Sequence, residues 1–63
     1  MIWEIRYEQV DMPEGFVSKA IKYAHTEKEA LKLFAPKRPD KNGWTQTKRK
    51  AHVRIISINE VHS

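Results

Sequence analysis

Apolar and charged residues alternate along the beginning of the chain. Trp3, Ile5 and Tyr7 occupy odd positions, and the positions between them are charged. Neighbouring side chains of a strand point to opposite faces of a sheet, so the pattern predicts a strand from Ile2 to Val10 with one apolar and one charged face. The residues on the charged face are Glu4, Arg6 and Glu8.

A second strand is predicted from Phe16 to His25, after a turn over residues 11–15. Pro13 fixes its own φ, and Gly15 tolerates a positive φ, as a hairpin connection often requires. Because the connection is short, we expect the two strands to pair antiparallel. Val17, Ile21 and Tyr23 share one face of the second strand, with Lys19 among them. We expect Ile21 and Tyr23 to face the core.

A helix over residues 27–34 has the clearest start and stop signals in the sequence. Thr26 and Glu29 have the spacing of a capping box, in which each side chain accepts the backbone N–H of the other residue. Pro36 ends the helix, because the residue before a proline is disfavoured in helical geometry. The apolar face of this helix is formed by Ala30, Leu31 and Phe34.

Residues 35–51 combine an unusual length with a basic composition. They contain two prolines, an Asn42-Gly43 turn signal and six of the twelve Lys and Arg residues of the chain. Loops of this length in compact domains are usually functional or disordered, so the segment is predicted to be a long basic loop. Residues 44–47 are strand-like and follow the turn signal, and we interpret them as a lead into the last strand.

The last strand is predicted from His52 to Val61. Val53 and Ile55 share one parity, whereas Ile56 and Ile58 share the other. This change of parity indicates either a β-bulge or a strand that is covered on both faces. We favour a bulge or a twist near Ile55 and Ile56.

These elements predict one α+β domain over residues 1–63 with ββαβ topology. The expected sheet is three-stranded and mostly antiparallel, in the order 2-1-3. A right-handed crossover packs the helix on one face, and the long basic loop over residues 35–51 precedes the last strand. The expected core comprises one face of the last strand together with Trp3, Ile5, Tyr7, Ile21, Tyr23, Leu31 and Phe34.

The composition excludes several classes of site. The chain has no cysteine, which rules out disulfides and thiolate metal sites and favours the cytoplasm. His25, His52 and His62 are too scattered to form a metal site. Charged residues interrupt every apolar stretch, so neither a secretion signal nor a membrane span is expected. We therefore expect a cytoplasmic protein without a cofactor.

The formal net charge of +4 is unevenly distributed along the chain. Residues 1–15 are acidic, and residues 35–63 are strongly basic. Such asymmetry favours a polyanion or an acidic protein surface as the partner. The alternative is that the charges serve only to keep a small domain soluble.

The candidate partner-binding residues lie in or beside the basic loop. Trp44 could stack on a base or anchor a protein interface, or it could cover one end of the core. The basic side chains could contact phosphates or an acidic surface, or they could simply be solvated. The candidates are Lys37, Arg38, Lys41, Trp44, Lys48, Arg49, Lys50 and Arg54, and no residue is assigned a catalytic role.

The sequence over residues 21–31, together with residues 55–61, resembles small strand–strand–helix–strand domains. Such domains occur in phage and mobile-element proteins and in archaeal ribosomal LX-type proteins. The plan is also similar to that of the short early podophage inhibitors of host RNA polymerase, which have no counterpart of the basic segment 36–50. The resemblance implies a non-catalytic, phage-type binding protein.

A second similarity concerns residues 41–44, Arg49 and His52. These residues resemble the start of HicA-type toxins, which are small basic RNases with a catalytic histidine. Lys50 and Ala51 stand where that family has glycine and serine, and the spacing is one residue shorter. The similarity implies an RNase in which His52 acts as general acid or base.

Three functional hypotheses follow. The preferred one is a non-enzymatic protein, monomeric rather than dimeric, that binds a host macromolecular machine, such as a polymerase or another nucleic-acid enzyme, through its basic loop. The second is direct RNA or DNA binding in the manner of a ribosome-associated protein. The third is an RNase that uses His52.

Overall fold

A computed structural model describes residues 1–62. Within these residues the chain forms four strands and one helix. The sheet has the order β2-β1-β4-β3, and every neighbouring pair is antiparallel. The elements are β1 (Ile2–Gln9), β2 (Ser18–Tyr23), α1 (Glu27–Phe34), β3 (Trp44–Gln46) and β4 (His52–Val61).

The prediction of a three-stranded sheet in the order 2-1-3 is wrong, because residues 35–51 are not one long loop. Trp44, Thr45 and Gln46 form a strand of their own, which pairs with Arg54, Val53 and His52. Residues 44–46 form a strand, but they double back against the last strand rather than leading into it. The basic segment therefore consists of a connection, a short edge strand and a tight turn.

The turn between β3 and β4 explains this reversal. The N–H of Thr47 donates to the carbonyl of Ala51 at 3.0 Å, and the N–H of Lys50 donates to the carbonyl of Thr47 at 2.9 Å. Lys50 adopts a left-handed conformation with φ of 65°. A turn followed by a left-handed residue is a common three-residue hairpin connection. It places Lys48 and Arg49 at the tip of the hairpin.

The predicted bulge in the last strand is confirmed. Arg6 pairs with Ser57, whereas the next residue, Tyr7, pairs with Ile55. Ile56 is therefore the extra residue on β4 and is half exposed. The bulge allows Ile55 and Ile58 to face the core from the same strand despite their different parity.

The core lies between α1 and one face of the sheet, here called the inner face. Ile5 and Val53 are fully buried, and Phe34 and Ala30 of α1 are also buried. Tyr7 packs against Phe34, with ring centroids 4.7 Å apart. The predicted contributions of Ile5, Tyr7 and Phe34 to the core are confirmed, and Trp3 and Leu31 are partly buried beside them.

The predicted inward face of β2 is wrong. Ile21 and Tyr23 lie on the opposite, outer face of the sheet, and Tyr23 is 73% exposed. Ala20 pairs with Ile5 and packs against the core in their place. A small side chain at this position lets α1 approach the sheet closely, and the alternation of the strand then turns Ile21 and Tyr23 outwards.

One of the two hydrogen bonds predicted for the capping box of α1 is confirmed, and the other has a different donor. The N–H of Glu29 donates to the hydroxyl of Thr26 at 3.2 Å, as expected. The carboxylate of Glu29, however, accepts the N–H of His25 at 3.3 Å rather than that of Thr26. The helix ends before Pro36, with the N–H of Ala35 bonded to the carbonyl of Leu31 at 2.7 Å.

Helix α1 has eight residues and leaves part of the inner face uncovered. Within the described residues, no helix has the length and apolar character needed to cross a membrane.

Candidate functional site

The eight predicted partner-binding residues lie in different parts of the fold. Lys48 and Arg49 border a groove on the inner face, and Lys50 completes the hairpin turn beside them. Trp44 and Arg54 pair with each other across the outer face. The remaining three, Lys37, Arg38 and Lys41, belong to the connection that precedes β3.

The groove occupies the part of the inner face that α1 leaves uncovered. It has a volume of about 520 Å³ and extends from β2 across β1 to the β3–β4 hairpin, with the end of α1 as one wall. Its apolar lining comes from Tyr7, Ala20, Leu33, Phe34 and Ala51. We call this feature the basic groove, because cationic side chains also line it.

The cations of the basic groove are Lys22, Lys48 and Arg49, and its lining contains no carboxylate. None of the three forms a salt bridge with any residue between 1 and 62. Glu4 and Glu8 lie on the outer face, on the far side of the sheet. The groove is therefore suited to a ligand with both an anionic and an apolar part, because unpaired cations favour anions and the floor is apolar.

Trp44 belongs to a separate cluster on the outer face. Arg54 donates to one carboxylate oxygen of Glu8 from Nε at 3.2 Å and from Nη2 at 2.8 Å. Its guanidinium carbon also lies 5.0 Å from the centroid of the Trp44 ring. This ion pair joins β1 to β4 on the outer face. It also leaves one face of the Trp44 ring covered by an intramolecular cation–π contact.

Lys37 and Asp40 have structural contacts in the connection before β3. The carbonyl of Lys37 accepts a hydrogen bond from the hydroxyl of Thr45 at 2.7 Å, and its Nζ donates to the side chain of Gln46 at 3.2 Å. The carboxylate of Asp40 accepts the N–H groups of Asn42 and Trp44, at 2.8 and 3.0 Å. These bonds hold the connection against β3.

Sequence reasoning missed Lys22 and the aromatic pair of Tyr7 and Phe34 as residues of the site. The alternation that puts Ile21 and Tyr23 in the core predicts that Lys22 faces solvent. The residue that could have indicated the true orientation is Ala20. It lies on the same face of β2 as Lys22, and its small side chain allows the helix to pack closely there. Tyr7 and Phe34 were predicted to be core residues, and they also form part of the groove wall.

The pKa of Glu4 is clearly perturbed. A hydrogen bond from Arg6 Nε, at 2.8 Å, holds the pKa of Glu4 below its ordinary value of 4.5, and the charges of Arg6 and Lys19 act in the same direction. Partial desolvation opposes this shift. Glu4 therefore pairs with Arg6, its neighbour on the same face of β1.

The geometry around His52 does not single it out. His52 is exposed on the outer face and lines neither the basic groove nor the smaller hollow beside Trp44. Among residues 1–62, no three His, Cys, Asp or Glu side chains are grouped so that they could hold a metal ion.

Comparison with protein families, with curated proteins and with solved structures found no match.

Proposed function

We propose that this chain is a non-enzymatic binding protein whose basic groove receives an acidic segment of a protein partner. The observation that carries the proposal is the placement of Lys22, Lys48 and Arg49 around an apolar floor whose lining contains no carboxylate. In such a segment an acidic side chain would pair with the cations of the groove, and a neighbouring apolar side chain would pack on its floor. In this proposal the segment belongs to a host macromolecular machine, such as a polymerase.

The aromatic side chains favour a protein partner over a nucleic acid. Proteins that bind single strands present open aromatic faces on which the bases stack. Here Tyr7 and Phe34 pack against each other, and Arg54 covers one face of Trp44. The groove therefore offers charge and apolar surface, but its two aromatic rings already pack against each other in a tilted arrangement.

A second candidate function is the binding of single-stranded RNA or DNA. It is favoured by the continuous cationic tip Lys48-Arg49-Lys50, in which none of the three side chains has an intramolecular salt bridge within residues 1–62. Phosphate contacts from such a tip would give affinity without sequence preference. This candidate predicts an affinity that falls linearly with salt on logarithmic axes.

The test uses ¹⁵N-labelled protein titrated with two probes. One is a short peptide of alternating glutamate and valine, and the other is a short oligothymidylate. The peptide is expected to shift the amide resonances of Lys22, Lys48 and Arg49. The double variant Lys48→Glu/Arg49→Glu should weaken peptide binding by about tenfold or more, which corresponds to about 1.4 kcal/mol.

The matched control is Arg38→Glu/Lys41→Glu, which makes the same change in net charge outside the groove. It should retain peptide binding within about threefold, since exposed charges at a distance are screened by salt. Equal loss in both double variants would show that net charge, not the groove, is responsible. Tight binding of oligothymidylate without peptide binding would replace the proposal with the second candidate.

A further inference from the structure

Strand β2 is an edge of the sheet, and its outward backbone groups can be assigned to individual residues. The N–H of Ala24 donates to the carbonyl of Met1 at 3.0 Å, so this pair faces inwards between β2 and β1. Hydrogen-bonded and non-hydrogen-bonded pairs alternate along an antiparallel ladder. In the observed register, Lys19, Ile21 and Tyr23 therefore direct their N–H and C=O groups away from β1, towards the free edge.

The side chains of these same three residues are all exposed on the outer face. Ile21 is 48% exposed and Tyr23 is 73% exposed, which is unusual for apolar and aromatic residues of a strand. A strand with unpaired backbone groups and apolar side chains is a template for another strand. Natural edges are commonly protected by short length, proline, bulges or charge, and β2 carries only the lysines Lys19 and Lys22 for this purpose.

The basic groove extends to this free edge. Ala20, Ile21 and Lys22 all line it, although the side chain of Ile21 points to the other face. The side chains of Ala20 and Lys22 face the groove, and β2 is the outermost strand of the sheet, so the groove reaches the edge strand. A chain that enters the groove at β2 is therefore within reach of the unpaired backbone.

We propose that the acidic partner segment adds to the sheet as an antiparallel strand along β2, bonded to the backbone of Lys19, Ile21 and Tyr23. This inference rests on the proposed function and specifies the conformation of the partner. An antiparallel orientation agrees with every other pair in the sheet and with the general preference for such pairs. Strand addition takes its affinity from the main chain and its specificity from alternate side chains.

The chemistry of β2 defines the sequence that this strand should have. The partner residues opposite Tyr23 and Ile21 lie on the outer face and should be apolar. The residue between them lies on the inner face, opposite Lys22, and should be acidic. The residue opposite Lys19 should also be acidic, because opposite charges across a strand pair are favourable and like charges are not. An antiparallel partner runs from the residue opposite Tyr23 to the residue opposite Lys19. Its sequence from N- to C-terminus is thus apolar, acidic, apolar, any small residue, acidic.

The decisive experiment compares two N-methylated versions of one peptide with that pattern, Val-Glu-Val-Ala-Glu, capped at both ends. Methylation of the second valine, opposite Ile21, removes an N–H that would bond to β2. Methylation of the glutamate before it removes an N–H that points to solvent. The first change should weaken binding by about tenfold or more, and the second by less than about threefold.

A protein variant tests the same bond from the other side. Ile21→Pro removes an N–H that faces solvent in the free protein, a position at which proline is tolerated in edge strands. It should bind the unmodified peptide at least about tenfold more weakly. The matched variant Ile21→Ala retains the N–H and should lose less affinity. If Ile21→Pro does not fold, the two methylated peptides still decide the question.

Hydrogen exchange identifies the occupant of the edge. Bound peptide should protect the amides of Lys19, Ile21 and Tyr23. Equal binding of the two methylated peptides, or unprotected amides in the complex, would overturn strand addition. Loss of binding in Lys48→Glu/Arg49→Glu alongside unprotected edge amides would leave the proposed function intact and refute only this inference. Protection that grows with protein concentration without peptide would identify a second copy as the occupant and would also overturn it.

Discussion

Arg54 and Glu8 join the first and last strands on the outer face of the sheet through two hydrogen bonds to the same carboxylate oxygen. The two residues are direct cross-strand partners. The bonds orient the guanidinium of Arg54 over the ring of Trp44, 5.0 Å from its centroid. One side chain therefore connects β1, β4 and β3, and it fixes the position of an otherwise solvent-facing tryptophan.

Replacement of Arg54 by alanine should lower the free energy of unfolding by about 0.5–1 kcal/mol, since the ion pair and the cation–π contact are both partly exposed. The indole N–H resonance of Trp44 should shift at the same time. Glu8→Gln is the matched variant, because it removes the charge but retains a hydrogen-bond acceptor. A stable Arg54→Ala protein with an unshifted Trp44 resonance would contradict the arrangement.

Lys50 offers a test of the β3–β4 turn. Its φ of 65° lies in the left-handed region, which is costly for residues with a Cβ atom and not for glycine. Lys50→Gly should raise the free energy of unfolding by about 0.5–1 kcal/mol, because relief of this cost exceeds the added flexibility of the unfolded chain. Lys50→Ala removes the same charge without that relief. Urea denaturation should therefore find a gain for glycine only, and equal midpoints would argue against the turn.

The cap of α1 should contribute measurably to the stability of a helix this short. Thr26→Ala removes the acceptor for the N–H of Glu29 and should cost about 1 kcal/mol of unfolding free energy. Thr26→Ser keeps the hydroxyl and should be nearly neutral. Thermal denaturation of the unmodified protein and the two variants would compare their stabilities. An unchanged stability of Thr26→Ala would show that this hydrogen bond contributes nothing.

Two isoleucines distinguish the faces of the sheet. Ile5 is fully buried and Ile21 is 48% exposed, so the same truncation should have different effects. Ile5→Ala is expected to cost about 2–5 kcal/mol, which is enough to unfold a domain of this size, whereas Ile21→Ala should cost less than about 1 kcal/mol. Circular dichroism and urea denaturation would measure both. Similar losses for the two variants would support the inward orientation of Ile21 that the sequence suggested.

The pair of Glu4 and Arg6 predicts a small dependence of stability on pH. Because the folded-state pKa of Glu4 is lowered, the pair stabilises the fold above the unfolded-state pKa, and this contribution is lost as the pH falls through the folded-state pKa. Arg6→Gln should raise the pKa of Glu4 towards its ordinary value. A ¹³C titration of the Glu4 carboxyl group measures this directly, and an unchanged pKa would exclude Arg6 as its cause.

Local features of the fold were predictable because they depend on neighbouring residues. The cap at Thr26, the first strand and the bulge near Ile56 each follow from a short pattern. The orientation of β2 was not predictable in this way. One face of β2 carries Ile21 and Tyr23, and the other carries Ala20 and Lys22. Hydrophobicity alone would place the first pair in the core. The choice depends instead on how closely α1 approaches the sheet, which is a property of the packed molecule.

The candidate site was only partly predictable for the same reason. Lys48 and Arg49 were identified from the basic composition of residues 35–51. The sequence could not show that a three-residue strand would place Trp44 and Arg54 on the opposite face from them. Nor could it show that Lys22, far away in the chain, would share their groove. Strand pairing determines which cationic side chains lie close together. The pairing of β3 with β4 is the part of it that the sequence analysis did not predict.

The pairing of β1 with both β2 and β4 has a consequence for co-translational folding. Ile2 is a direct partner of Val61, so the central ladder joins the first strand of the sheet to be synthesised with the last one. While the ribosome is still translating β4, β1 can pair only with β2, and β3 lacks its only partner strand. An isolated hairpin is marginally stable in water. The nascent chain should therefore remain unfolded and open to proteases or chaperones until β4 has left the exit tunnel, and then fold in one cooperative step.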